Sequence, residues 1–239
     1  MARFDRFSMR SVLKVGLFAV TFALCVPMQA SEELHFRVLL DDKEIGHHIF
    51  RVTDHAGNQT VDIRAEFDVT FFAIPVYSYA HDNREVWKNG CLSEIISRTD
   101  DNGKKFLVEG EAKGGLFSVA TREMNRQLQS KCVMTFAYWN REFLQQSRLL
   151  NAQTGDYLSV NVDFEGTEPL RVGKDTIPAL RYRLRNQEKK LDITVWYQKS
   201  SGRWLSLESK VGRGKLIRYL PVSTGDSPIP ADEQVAARL

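Results

Sequence analysis

Between Val61 and Phe71 the chain alternates almost without fault: Val61, Ile63, Ala65, Phe67, Val69 and Phe71 are apolar, while Asp62, Arg64, Glu66, Asp68 and Thr70 are polar. Successive side chains on a strand point to opposite faces, so this period of two predicts a strand with one wet face. Leu34, Phe36, Val38 and Leu40 predict an earlier strand, residues 41–44 a turn, and residues 45–53 the returning half of a hairpin. Asn102-Gly103 is the clearest turn, because both residues accept the positive φ of a type I′ hairpin, and it should join strands over 92–99 and 105–109. Residues 116–122 and 127–134 are a further candidate pair. Strands are also predicted over 157–164, 179–185, 191–198, 204–211 and 216–220, with Ser201-Gly202 and Gly212-Arg213-Gly214 at turns.

Around Trp139 the period changes. Asn140 fits an N-cap, with Glu142 at the positive end of a short helix that turns Phe143, Leu144 and Leu150 inward. About ten strands, hairpin connections and one short helix describe a mainly β fold, either one antiparallel, strongly curved sheet or an open barrel. Residues 31–220 are expected to form this single domain. Residues 221–239, with Pro228, Pro230 and little periodicity, are expected to be a disordered tail.

The first thirty residues differ from the rest. Arg3, Arg6, Arg10 and Lys14 precede an apolar run from Val15 to Val26, then Pro27 and the small Ala30, which is the pattern of a signal peptide cleaved after Ala30. The run is too short to span a membrane as a helix. Cys25 invites a lipoprotein reading, but Leu24 before it is not the small residue that reading needs. A soluble protein of the periplasm is expected. Of the 33 basic and 30 acidic side chains, four and one lie in this segment, so the remaining 209 residues carry 29 of each and no net charge. A nucleic-acid binder needs a basic surplus to displace counterions, so that class is excluded.

Two cysteines remain after residue 30, Cys91 and Cys132. In an oxidising compartment a disulfide between them is the simplest reading, and two separate buried thiols the alternative. His-Glu-x-x-His, Gly-x-Ser-x-Gly, the Walker loop and the dinucleotide glycine pattern do not occur, so no catalytic residue, cofactor or metal is assigned. Gly212-Arg213-Gly214-Lys215 reads as a hairpin turn rather than a phosphate cradle. His47 and His48 point to opposite faces and cannot readily hold one metal, although His35 can approach one of them across the first hairpin. His81, Asp82 and Glu85 are the densest group of potential acids and bases. On a strand His81 and Glu85 share a face while Asp82 points away, but no nucleophile stands beside them.

The aromatic pattern says more. Phe67, Val69 and Phe71 lead into Phe72, Ile74, Val76, Tyr77 and Tyr79, too apolar a stretch for one face of an ordinary edge strand. Either the sheet curls and the segment around Trp139 covers it, or part of the wall stays open as an apolar pocket. Phe67, Val69, Phe71, Tyr77, Tyr79 and Trp139 are therefore the expected ligand contacts, for a hydrophobic small molecule or lipid. A non-enzymatic binder of a hydrophobic or amphiphilic ligand leads. An envelope assembly or interaction module is the alternative, and an enzyme with an unrecognised site the third reading.

The stretch Phe136-Ala137-Tyr138-Trp139-Asn140, followed by Leu149-Leu150-Asn151-Ala152-Gln153-Thr154-Gly155, resembles an uncharacterised family of exported bacterial proteins, the domain-of-unknown-function family numbered 6134. Trp196-Tyr197, Gly202-Arg203-Trp204-Leu205 and Arg218-Tyr219 resemble the C-terminal half of the same family. These are aromatic and turn patterns, so the resemblance implies a β-rich periplasmic domain and transfers no catalytic residue. A more distant similarity, of architecture alone, is to periplasmic lipid carriers whose half-barrel wraps a helix.

Overall fold

The computed structural model describes residues 31–55, 57–72 and 74–222. Residues 1–30, where the signal peptide and its cleavage site are expected, and residues 223–239 lie outside these. Within them the alternating segments pair as antiparallel hairpins: β1 (Ser31–Leu40), β2 (Lys43–His55), β3 (Asn58–Phe71), β4 (Ile74–Lys88), β5 (Cys91–Asp101), β6 (Lys104–Lys113), β7 (Leu116–Thr121) and β8 (Asn125–Leu128). After a long connection holding β9 (Arg148–Leu150) and β10 (Tyr157–Ser159), the meander resumes as β11 (Asn161–Val172), β12 (Asp175–Asn186), β13 (Leu191–Gln198), β14 (Trp204–Val211) and β15 (Lys215–Pro221).

The expectation of about ten strands needs correction. Thirteen form one open sheet in the order β11-β12-β13-β14-β15-β1-β2-β3-β4-β5-β6-β7-β8, and β9 and β10 form a separate two-stranded piece. The additional strands come from places where alternation fails. On β4 the inward positions include His81, Asn83 and Glu85, so buried and polar coincide. On β11, residues 165–172 leave no side chain fully buried, and Pro169 lies opposite Pro178 of β12 on this edge.

The first and last strands meet in the middle of the sheet. Phe36 pairs with Pro221, and the Val222 N–H donates to the His35 carbonyl, so Pro221 and Val222 belong to the sheet rather than to a tail. The turns follow their residues: Asn102 and Gly103 take φ of 50° and 89°, as the type I′ reading requires. Gly212–Gly214 is a single 3₁₀ turn between β14 and β15.

The connection from β8 to β11 crosses one face of the sheet and closes the main core. Met134, Phe143, Leu149 and Leu150 are fully buried against Phe36, Phe50, Trp87, Ile95 and Tyr197. Asn140 caps Arg141–Gln145, accepting from the Glu142 N–H, but the helix it starts is a single 3₁₀ turn, and Leu150 lies on β9 beyond it. Among the bonds that anchor the connection are the Cys91–Cys132 disulfide and one from the Tyr197 hydroxyl to the Tyr138 carbonyl.

Candidate functional site

Four of the six expected contact residues meet on the upper part of β3 and β4. Phe67 and Tyr79 are direct cross-strand partners with rings 5.2 Å apart and 10° from parallel; Val69 and Tyr77 form the next inward pair, both half-buried. Gly46 of β2 makes room beside them. A Cβ there would stand 1.9 Å from the Glu66 carbonyl oxygen, and its φ of +152° also favours glycine.

The lower boundary of this wall is a hydrogen-bonded clamp. The Tyr79 hydroxyl donates to Gln153 Oε1, Gln153 Nε2 donates to Asp101, and the Tyr77 hydroxyl donates to the other Asp101 oxygen. Asn151 sets Gln153 in place by accepting the N–H groups of residues 153 and 154, an Asx turn. The Leu149–Gly155 motif is therefore the lid of the clamp. Sequence reasoning quoted this motif without giving Gln153 a role; the Asn-x-Gln-Thr-Gly turn pattern was the available signal.

Below the wall lies a buried polar layer. His48 stacks on Phe50 at 4.2 Å, and its Nδ1 pairs with the Tyr219 hydroxyl at 3.1 Å. Its Nε2 is sealed from solvent and has no hydrogen-bond partner among the described residues. His81 Nδ1 pairs with Thr99 Oγ1 at 2.8 Å. Burial lowers both histidines, His81 to about 4 and His48 well below its ordinary value, so both rings are neutral near pH 7. Burial also pushes the Tyr79 and Tyr219 hydroxyls up, keeping them as donors.

The histidine and acid group does not form an acid–base unit. Glu85, raised by burial, accepts from Asn83 and Trp87, while Asp82 faces outward 3.6 Å from Arg64. His47 lies on the opposite face from His48 and contacts the His35 ring at 6.0 Å. Among the described residues no group of three or more His, Cys, Asp or Glu has metal-holding geometry, and no helix is long and apolar enough to cross a membrane.

The other two expected contacts lie elsewhere. Phe71 is 65% exposed at the hairpin tip, against Phe72 alone among aromatic rings. Trp139 packs edge-on against Trp87, eight residues down β4 from Tyr79 and so roughly 25 Å away along the strand. It borders a separate cleft of about 560 Å³ with Leu34, Val52 and Arg141. Trp139 is thus not part of the upper wall.

The chain matches none of the curated proteins. Over residues 36–222 it matches the family model described as a domain of unknown function (DUF6134), and it belongs to that family.

Proposed function

We propose that this is a non-enzymatic binding protein of the bacterial periplasm that holds an amphiphilic molecule along the inner wall of β3 and β4. One observation carries the reading: an apolar strip runs from exposed Phe71 past half-buried Val69 and Tyr77 to the Phe67–Tyr79 stack, and near its inner end His48 Nε2 is buried without a partner among the described residues. A buried polar atom left unmatched is costly, and a ligand's polar end would satisfy it while its chain lies on the strip. In this reading the sheet is strongly curved around the β8–β11 connection. Support comes from Phe50 of β2 and Trp204 of β14, whose rings stand 5.2 Å apart although two strands separate theirs. With no net charge after residue 30, affinity would come from buried area, at about 0.8 kcal/mol per CH₂.

Titration with a fluorescent fatty acid tests this. Saturable binding by the wild type, lost in Val69→Asp with an unchanged circular dichroism spectrum, is the expected result. Equal signals from both proteins would remove the wall as the site. The second reading, an interaction module without a ligand, is favoured by the exposed apolar side chains at the end of the same hairpin.

A further inference from the structure

Four of the largest exposed apolar side chains gather at one place. Phe71, Phe72, Ile74 and Val76 are 65%, 86%, 64% and 53% exposed, all at the end of the β3–β4 hairpin. This end overhangs the sheet. Pairing with β2 stops at Gly46 opposite Phe67, and pairing with β5 stops at Tyr79 opposite Asp101. Four further rungs of β3–β4 continue roughly 13 Å beyond, braced at the first by the Asn102 N–H on the Ser78 carbonyl and at the third by Lys43 on Thr70.

The apolar surface wraps the end of the hairpin rather than one side of it. Phe71 and Ile74 share the last rung, Phe72 occupies the turn, and Pro75 and the extra residue Val76 follow on β4. Phe72 is held at φ +47°, an unfavourable conformation for a bulky residue, and it leaves its ring in solvent. Among aromatic contacts, folding gains from that ring only its packing on Phe71. Immediately below the last rung the groups turn polar: Lys43 Nζ donates to the Thr70 carbonyl and hydroxyl, Asp68 and Ser78 are exposed, and Tyr77 is fixed by Asp101.

We propose that this tip is a docking finger that inserts into the surface of an electrically neutral lipid layer. The exposed apolar area is on the order of 500 Å², below the ~800 Å² per partner of a standard protein interface. A shape that is apolar all round suits a medium that is apolar on every side, whereas a protein groove covers one face. Beyond the Thr70 collar only the last rung and the turn project, within the ~5–10 Å depth of interfacial insertion, so the collar stops at the headgroups. Around the collar Lys43, Lys104 and Lys105 are offset by Asp68, Asp100 and Asp101, so attraction to anionic lipid contributes little. The proposal does not depend on whether the interior takes a ligand.

The test is flotation of the full exported chain with phosphatidylcholine vesicles at low and high salt, with Phe72→Gly as the key variant. Glycine removes the ring and relieves the positive φ, so the variant should melt at the same or a higher temperature while losing vesicle binding about tenfold or more. Phe164→Ser, which removes another exposed aromatic on β11, should float like the wild type. Three results would overturn the proposal: no flotation of the wild type; equal flotation of wild type and Phe72→Gly; or flotation that requires phosphatidylglycerol and disappears at high salt. A wild-type dimer that Phe72→Gly makes monomeric, with neither binding vesicles, would assign the tip to a second copy instead.

Discussion

Phe67 and Tyr79 stack across the last rung of β3 and β4 that still has neighbours on both sides, Gly46 of β2 and Asp101 of β5. Below this rung the hairpin is a wall of the core, and above it the same two strands lose their ladder partners and keep bonds with Asn102, Lys43 and Asp101. The stacked pair therefore marks where the proposed binding strip passes from interior to solvent. Its polar support, the Gln153 clamp and the His48 and His81 layer, gives the region a pH dependence.

A buried neutral histidine binds its proton more weakly folded than unfolded. Stability is complete above the unfolded value near 6.5 and falls as pH drops towards the folded value, which for His81 is about 4. Its contribution to this loss is roughly 3 kcal/mol, and His48 adds to it in the same direction. Urea unfolding at neutral pH and near pH 4.5 should show the decline, and His81→Gln should flatten it. An unchanged slope in the variant would mean that folding does not lower the proton affinity of His81.

Cys91 and Cys132 are 41 residues apart in sequence and tether the connection to β5. Closing a loop of that length restricts the unfolded chain by roughly 4 kcal/mol in the entropy model. Paired Cys91→Ser and Cys132→Ser substitutions should lower the unfolding free energy by about this amount, and reductant should do the same to the wild type but not to the variant.

The two tryptophans at the lower end should differ. Trp87 is 1% exposed and donates to Glu85, so Trp87→Ala leaves a large cavity and takes one of the donors from the buried Glu85 carboxyl, which keeps Asn83, costing about 4 kcal/mol or more. Trp139 is only partly buried and its indole N–H has no partner among the described residues, so Trp139→Ala should cost distinctly less. Equal losses on denaturant unfolding would contradict this.

These contrasts show what the sequence made legible. Residues 61–71 alternate because Arg64, Glu66 and Asp68 face water while Ala65 and Phe67 face the core, and β3 follows. The Asn102-Gly103 turn and the Cys91–Cys132 bridge were equally readable, since each depends on local chemistry or on a count of two. Most of β4 was not predicted as a strand, because buried Asn83 and Glu85 satisfy each other in a way no periodicity reveals. Grouping Trp139 with Tyr79 failed for a related reason: both are aromatic and part-buried, but strand register alone sets the distance between them. The extent of the overhang was also invisible, since it depends on where β2 and β5 stop pairing.

The most direct test of the proposed binding role is native mass spectrometry of the protein purified under native conditions without detergent. The account predicts a species heavier than the polypeptide by the mass of an extractable amphiphile, absent from folded Val69→Asp protein. The bare polypeptide mass in both proteins, with the Phe67, Val69, Tyr77 and Tyr79 side chains packed solidly in an experimental structure, would contradict it.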